Sequence, residues 1–192
     1  MPLSTINELF CILWLMIKRI VLVLAIICII LIGLAGWYGY RISREINQMN
    51  PIETRQINPD VYAIKDKVVN LYLIESDSGY IAVDAAQNPE NIRTGLYHLG
   101  IEAQNVVAVL LTHSDRDHTG GVSVFAGARI YLPHAEETVI KGPEYRLFFM
   151  KNKLNRPRIP LYDGQALVID GVKVKCILAP GHTPGSMCYF IN

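Results

Sequence analysis

Apolar and polar positions follow two different regimes along this chain. Residues 20–40, IVLVLAIICIILIGLAGWYGY, hold no charged side chain. As an α-helix they would rise about 31 Å, the thickness of a bilayer core. Trp37, Tyr38 and Tyr40 gather at one end, as an interfacial aromatic belt does. From residue 60 the pattern changes to short β-branched runs separated by turn residues. Residues 61–64, 68–74, 80–83, 106–111, 129–132, 166–169, 172–178 and 187–191 predict strands. Ser76-Asp-Ser-Gly79 and Asp170-Gly171 predict tight turns, the second closing a hairpin. Asn88-Pro-Glu predicts a capped helix start, with Gly100 as its stop. Pro133-His-Ala-Glu-Glu predicts a second helix start, and residues 122–126 the first turns of another. His98 and His134 fall on helix surfaces in this reading.

These signals divide the chain into a tail (1–19), a transmembrane anchor (20–40), a linker with Pro51 and Pro59 (41–59) and an α/β domain (60–192). A cleaved signal peptide is the rival for the anchor, but its apolar core should be shorter and followed by a small-residue cleavage site. Met16, just ahead of Lys18-Arg19 and the apolar run, is an alternative translation start. The expectation is a single-pass membrane protein. Lys18 and Arg19 on one side face Arg41, Arg44 and Arg55 on the other, so charge leaves the orientation open. A short N-terminal tail stays inside more often, which puts the domain outside the cytoplasm.

Charge and cysteine content add exclusions. The 192 residues are 51% hydrophobic with a formal net charge of +1. Setting aside Lys18, Arg19 and Glu8 leaves 16 basic and 16 acidic residues beyond position 40, which argues against a nucleic-acid partner. Positive charge is local: Lys141, Arg146, Lys151, Lys153, Arg156 and Arg158 stand against Glu144 alone. Three readings of that stretch are a solvated basic loop, a rim attracting an anionic small-molecule substrate, and a patch resting on acidic lipid. The four cysteines form no disulfide framework. Cys176 and Cys188 flank His182 symmetrically, so either a cross-strand disulfide or two buried free thiols is expected there.

The candidate chemistry sits in Leu110-Leu-Thr-His-Ser-Asp-Arg-Asp-His-Thr-Gly-Gly121. His113, Asp115, Asp117 and His118 are four potential metal ligands at the end of an apolar strand. Alternate residues of an extended segment point the same way, so His113 and Asp115 can share one ion, and Asp117 and His118 a second. Imidazole and carboxylate donors suit zinc, iron or manganese. The bland alternative is a solvated loop with a helix-capping Asp or Thr. Crowding two carboxylates and two imidazoles there without a metal would be costly.

His113-Ser-Asp-Arg-Asp-His118 resembles the His-x-His-x-Asp-His signature of the metallo-β-lactamase superfamily, with Asp115 in place of the second histidine. Pro180-Gly-His-Thr-Pro-Gly-Ser186 resembles that superfamily's next motif. The resemblance covers residues 60–192. It implies an αββα sandwich of two sheets with helices on both outer faces, here with its second half incomplete. It implies a first metal site from His113, Asp115 and His182 and a second from Asp117 and His118, with Zn2+ in both. It implies a metal-bound hydroxide attacking an ester, thioester, lactam or phosphoester. Asp117 would orient that nucleophile where only the first site is filled, and Asp84 would brace the metal loop. Asp115 also resembles the carboxylate of the superfamily's flavodiiron members, which hold iron, so a di-iron oxidoreductase-like protein is an alternative. The family's bridging aspartate and last histidine have no counterpart before Asn192. The expectation is therefore a fragment of a longer hydrolase, with a non-catalytic remnant as the other alternative.

Overall fold

The computed structural model describes residues 3–141 and 154–192, with side chains from residue 13 to 140 and from 154 onward. Two compact units meet in sequence between Met49 and Asn50. The first is one helix, α1 (Leu3–Gln48). Its segment Leu13–Gln48 is long and apolar enough to cross a membrane, a test that an N-terminal signal sequence also passes. The polar stretch after Tyr40 begins as helix. Arg41 pairs with Glu45 one turn on, at 3.4 Å, and the first helix breaker is Pro51.

In the second unit a seven-stranded sheet runs β1 (Arg55–Asn58), β2 (Val61–Asp66), β3 (Val69–Glu75), β4 (Tyr80–Val83), β5 (Val106–Leu110), β6 (Arg129–Pro133), β7 (Arg158–Leu161), in that spatial order. Pairing is antiparallel from β1 to β4 and parallel from β4 to β7. The antiparallel part is joined by short turns. The first parallel step crosses over through α2 (Pro89–Leu99). Asn88 Oδ1 accepts from the Glu90 N–H at 2.9 Å, and the helix stops at Gly100, as the sequence predicts. A second, antiparallel sheet holds β8 (Ala166–Ile169), β9 (Val172–Leu178) and β10 (Met187–Ile191), with β9 central.

Strand alternation explains the layers. On β5, Ala108 and Leu110 point to one face and Val109 and Leu111 to the other. Ala108, Leu110, Ile81, Tyr131 and Leu161 meet Ile169, Val174, Cys176 and Met187 of the second sheet. Val109, Leu111, Leu71, Leu73 and Ile130 meet Ile92 and Leu96 of α2 and Phe125. This helix-sheet-sheet stack places the C-terminal ends of the parallel strands along one rim. On the second sheet's outer face Val168, Ile177 and Phe190 are exposed.

Several expectations change. β1 and β7 have no signal in the apolar pattern, since RQIN and RIPL are an exposed edge strand and a strand in a basic stretch. The helix expected from 122 is instead a single turn, α3 (Arg116–Thr119), followed by a 3-10 turn at Val122–Val124. The basic stretch is partly consumed by the fold. Arg156 donates to the carbonyls of Val122, Phe125, Ala126 and Ala128, at 2.8 to 3.2 Å. Arg158 forks onto Glu137 of α4 (Glu136–Lys141) and reaches Leu154 O. Its other cations, Arg146, Lys151 and Lys153, lie outside the described residues. The cysteine reading is corrected by register: Cys176 faces Tyr189 and Cys188 faces Ile177. That offset of one residue puts the thiols on opposite faces, so both are free, Cys176 buried and Cys188 exposed.

Gly121 shows how tightly the loop after β5 is pressed onto the turn after β4. A Cβ there would lie 2.0 Å from Ile92 Cδ1 and 2.2 Å from Ala85 O. Gly121→Ala should therefore cost about 1–3 kcal/mol. The measurement is a denaturant titration, in which the midpoint should fall with an unchanged slope.

Candidate metal centre

The centre begins where β5 ends. Thr112 and His113 follow the strand, and the chain turns into α3 at Asp115. Asp115 occupies the capping position but makes no side-chain cap bond. Its Oδ2 instead lies 3.0 Å from His182 Nε2 and 3.6 Å from His113 Nε2. That disposition sets aside the helix-cap reading of Asp115. His182 arrives from the loop joining β9 and β10, whose ends approach the same rim. Met187 N–H donates to Thr112 O at 2.9 Å and Tyr189 O–H to Leu111 O at 2.6 Å. Burial and the nearby acidic charge of Asp84 push the Tyr189 hydroxyl's pKa well above its ordinary value, so it stays a donor.

One carboxylate organises the loop from below. Asp84 ends β4 with positive φ and accepts from Thr112 N–H at 2.7 Å. It also accepts from the Thr112 hydroxyl, 2.9 and 3.0 Å from its two oxygens, and from His118 Nδ1 at 2.8 Å. Thr112 Oγ1 is 2.9 Å from His113 Nδ1. A carboxylate only accepts, so the single Thr112 proton goes to Asp84 and His113 Nδ1 donates to the hydroxyl. In its neutral form each ring then presents Nε2 as an acceptor on the side away from Asp84. Asp84 thus braces the loop, with Thr112 as an intermediary the sequence did not flag.

His113, Asp115 and His182 bring three ligand atoms within 4.8 Å of one another. Two donors about 2.05 Å from a tetrahedral zinc lie roughly 3.3 Å apart; the observed 3.0 and 3.6 Å straddle that value. His113 Nε2 is buried and has no hydrogen-bond partner among the described residues, a state that is costly for a polar atom and suited to a metal ligand. His113 is buried whereas the His182 side chain is about two-thirds exposed, so the cluster opens to solvent on the His182 side. Asp117 and His118 stand beside this group rather than in it. Asp117 Oδ2 is 3.5 Å from His118 Nε2, and the His118 ring lies 4.1 Å from that of His113. His134 stacks near Tyr162 on the surface at 5.1 Å, and His98 is exposed on α2.

The family model for the metallo-β-lactamase superfamily matches residues 64–192. The chain belongs to the metallo-β-lactamase superfamily. Among its relatives, it is 32% identical over 120 residues to the probable polyketide biosynthesis zinc-dependent hydrolase BaeB of Bacillus velezensis, covering 61% of this chain and 47% of that one. It is 27% identical over 153 residues to an atrochrysone carboxyl ACP thioesterase of Aspergillus chevalieri, covering 70% and 44%. Among solved structures, a Cronobacter sakazakii metallo-β-lactamase with a HARLDQ motif superposes with a TM-score of 0.60 at 25% identity, covering 74% of this chain and 59% of that one. The chain spans less than half the length of the curated relatives it matches.

The electrostatics of the metallo-β-lactamase loop give a pH prediction. Burial opposes protonation of His118, but the Asp84 hydrogen bond and the charges of Asp84, Asp117 and Asp115 outweigh it, and the pKa rises above the usual 6.5. Because the folded value is raised, the ion pair stabilises the metal-free fold fully below pH 6.5. That stabilisation is lost as pH climbs through the folded pKa. Asp84→Asn should lower the His118 pKa in metal-free protein, read by NMR of the ring protons. An unshifted titration would separate His118 from Asp84.

Proposed function

We propose that this chain is a metal-dependent hydrolase of thioesters, held to a membrane by α1. The observation that carries the hydrolase reading is the buried Nε2 of His113, without a hydrogen-bond partner among the described residues and grouped with Asp115 and His182. These three residues would hold the first ion, and Asp117 and His118 would contribute to a second. Zinc supplies Lewis acidity and a water of lowered pKa when bound. The residues of this chain orient the reactants. Asp84 and Thr112 orient the rings of His118 and His113, and Asp117, half exposed, would orient the nucleophile where only the first site is filled. The exposed side of His182 is where a substrate would enter.

The thioester choice rests on two supports. The curated relatives include carrier-protein thioesterases and a polyketide hydrolase. A thiolate also leaves without being protonated, so thioester cleavage asks less of a site than lactam cleavage, where the nitrogen needs a proton. The likeness to the Cronobacter lactamase favours β-lactams as a second reading. Full-length protein loaded with zinc should hydrolyse acyl thioesters faster than β-lactams, and a chelator should abolish the activity. His113→Ala or His182→Ala should lower zinc affinity at least about tenfold. Equal zinc content in wild type and both variants, by elemental analysis, would end the metal-centre reading.

The anchor rests on both ends of α1. Lys18 Nζ lies 5.1 Å from the Trp14 ring and the Arg41 guanidinium 5.5 Å from that of Trp37. Lys18 and Arg41 are separated by about 35 Å of helix, so in a bilayer each cation-aromatic pair would fall at one interface. The full chain should remain in the membrane fraction after carbonate extraction. A shortened soluble product would instead identify a cleaved signal sequence.

A further inference from the structure

Glu136 is fully buried, 0% exposed, in the first turn of α4. A buried carboxylate is costly unless donors surround it. Its donors come from two distant loops. Oε2 accepts from Ser114 N–H at 2.8 Å. Oε1 accepts from the Thr183 hydroxyl at 2.6 Å and from Gly185 N–H at 3.0 Å. Ser114 lies between His113 and Asp115, and Thr183 directly follows His182. One side chain therefore joins the two loops that carry the three candidate ligands. The fit is close: a Cβ on Gly185 would lie 2.6 Å from Glu136 Oε1 and 2.8 Å from the Glu136 backbone nitrogen. The next residue, Glu137, is gripped by Arg158 of β7, which fixes the start of α4 from the opposite side.

We propose that Glu136 is a positioning residue of the metal centre, holding the His182 loop against the His113–Asp115 loop so that three donors are assembled before an ion arrives. Both carboxylate oxygens are required. Glutamine keeps one acceptor and turns an NH2 group toward either Ser114 N–H or the Thr183–Gly185 pair, setting donor against donor. Aspartate is one methylene too short to reach both loops. Without the strut, the His182 loop keeps its bonds at the β10 end but loses those beside His182 itself, and the third donor is less well placed. The inference rests on the metal-centre reading above.

The test is zinc affinity of the full chain in detergent, by competition with a chromophoric chelator. Glu136→Gln should weaken zinc binding by about 10–100-fold, the range for residues that orient ligands. Ile169→Ala, a core change between the sheets, should lower the unfolding midpoint without moving zinc affinity more than about twofold, which separates positioning from general destabilisation. Thr183→Ala removes one donor from the far side of the strut. It should weaken zinc binding severalfold alone and add nothing in the Glu136→Gln background. If Glu136→Gln does not fold, Thr183→Ala carries the test, and an unchanged zinc affinity in that variant overturns the proposal. Unchanged affinity in a folded Glu136→Gln overturns it too, provided His113→Ala abolishes binding. If His113→Ala also binds normally, the metal-centre reading itself has failed.

Discussion

The end of β5 belongs to both sheets, and the centre depends on that. Leu110 is the last residue paired within the seven-stranded sheet, yet Leu111 O takes the Tyr189 hydroxyl and Thr112 O takes the Met187 N–H from β10. The first sheet supplies His113 and Asp115, the second supplies His182, and these two bonds fix one against the other. The apolar layer beneath, with Leu110, Tyr131, Cys176 and Met187, is nearly sealed from water and gives the junction its rigidity. Burial of this kind is non-directional. The hydrogen bonds at its upper edge convert a greasy contact between sheets into a defined approach of two loops.

Above that junction the polar groups form two tiers. Asp84 lies below the first loop and turns two imidazoles outward through donors on Thr112 and His118. Glu136 lies between the loops and takes donors from each. Neither acid belongs to the cluster of three ligand atoms. Glu136 is a buried carboxylate met by N–H and O–H donors, and Asp84 adds the His118 ring to such donors, so removal of a single donor leaves either carboxylate under-solvated. Coupling between loop conformation and ligand geometry follows from this.

Local signals were readable in the sequence, and signals spread over many residues were not. The strand before HSDRDH, the cap at Asn88 and the turn at Asp170-Gly171 each lie within a few residues, and each appears in the structure; from HSDRDH itself, His113 and Asp115 lie close to His182. Strand β1 is exposed along its length, so burial left no apolar pattern to read. The helix expected from 122 is only a 3-10 turn, and it follows Gly120 and Gly121, where the chain passes close to Gln87 and Ala85. Glu136 looked like an ordinary acid at a helix start, and its partners are 22 and 47 residues away. Arg156 looked like one of six cations in a solvated stretch. It is a clamp on four carbonyls, a role no charge count reveals.

The carboxylate at Asp115 has a consequence for the chemistry under the proposed assignment. An imidazole at that place would leave the first ion with three neutral ligands. Asp115 adds a negative charge and replaces a borderline nitrogen by a hard oxygen, which moves the site's preference toward harder ions such as iron and manganese relative to an all-histidine site. The added charge also weakens the ion's pull on a bound water, so that water stays protonated to higher pH. A substrate with an activated carbonyl and a good leaving group tolerates that loss better than a stable amide or phosphodiester. The carboxylate at Asp115 therefore agrees with the thioester reading.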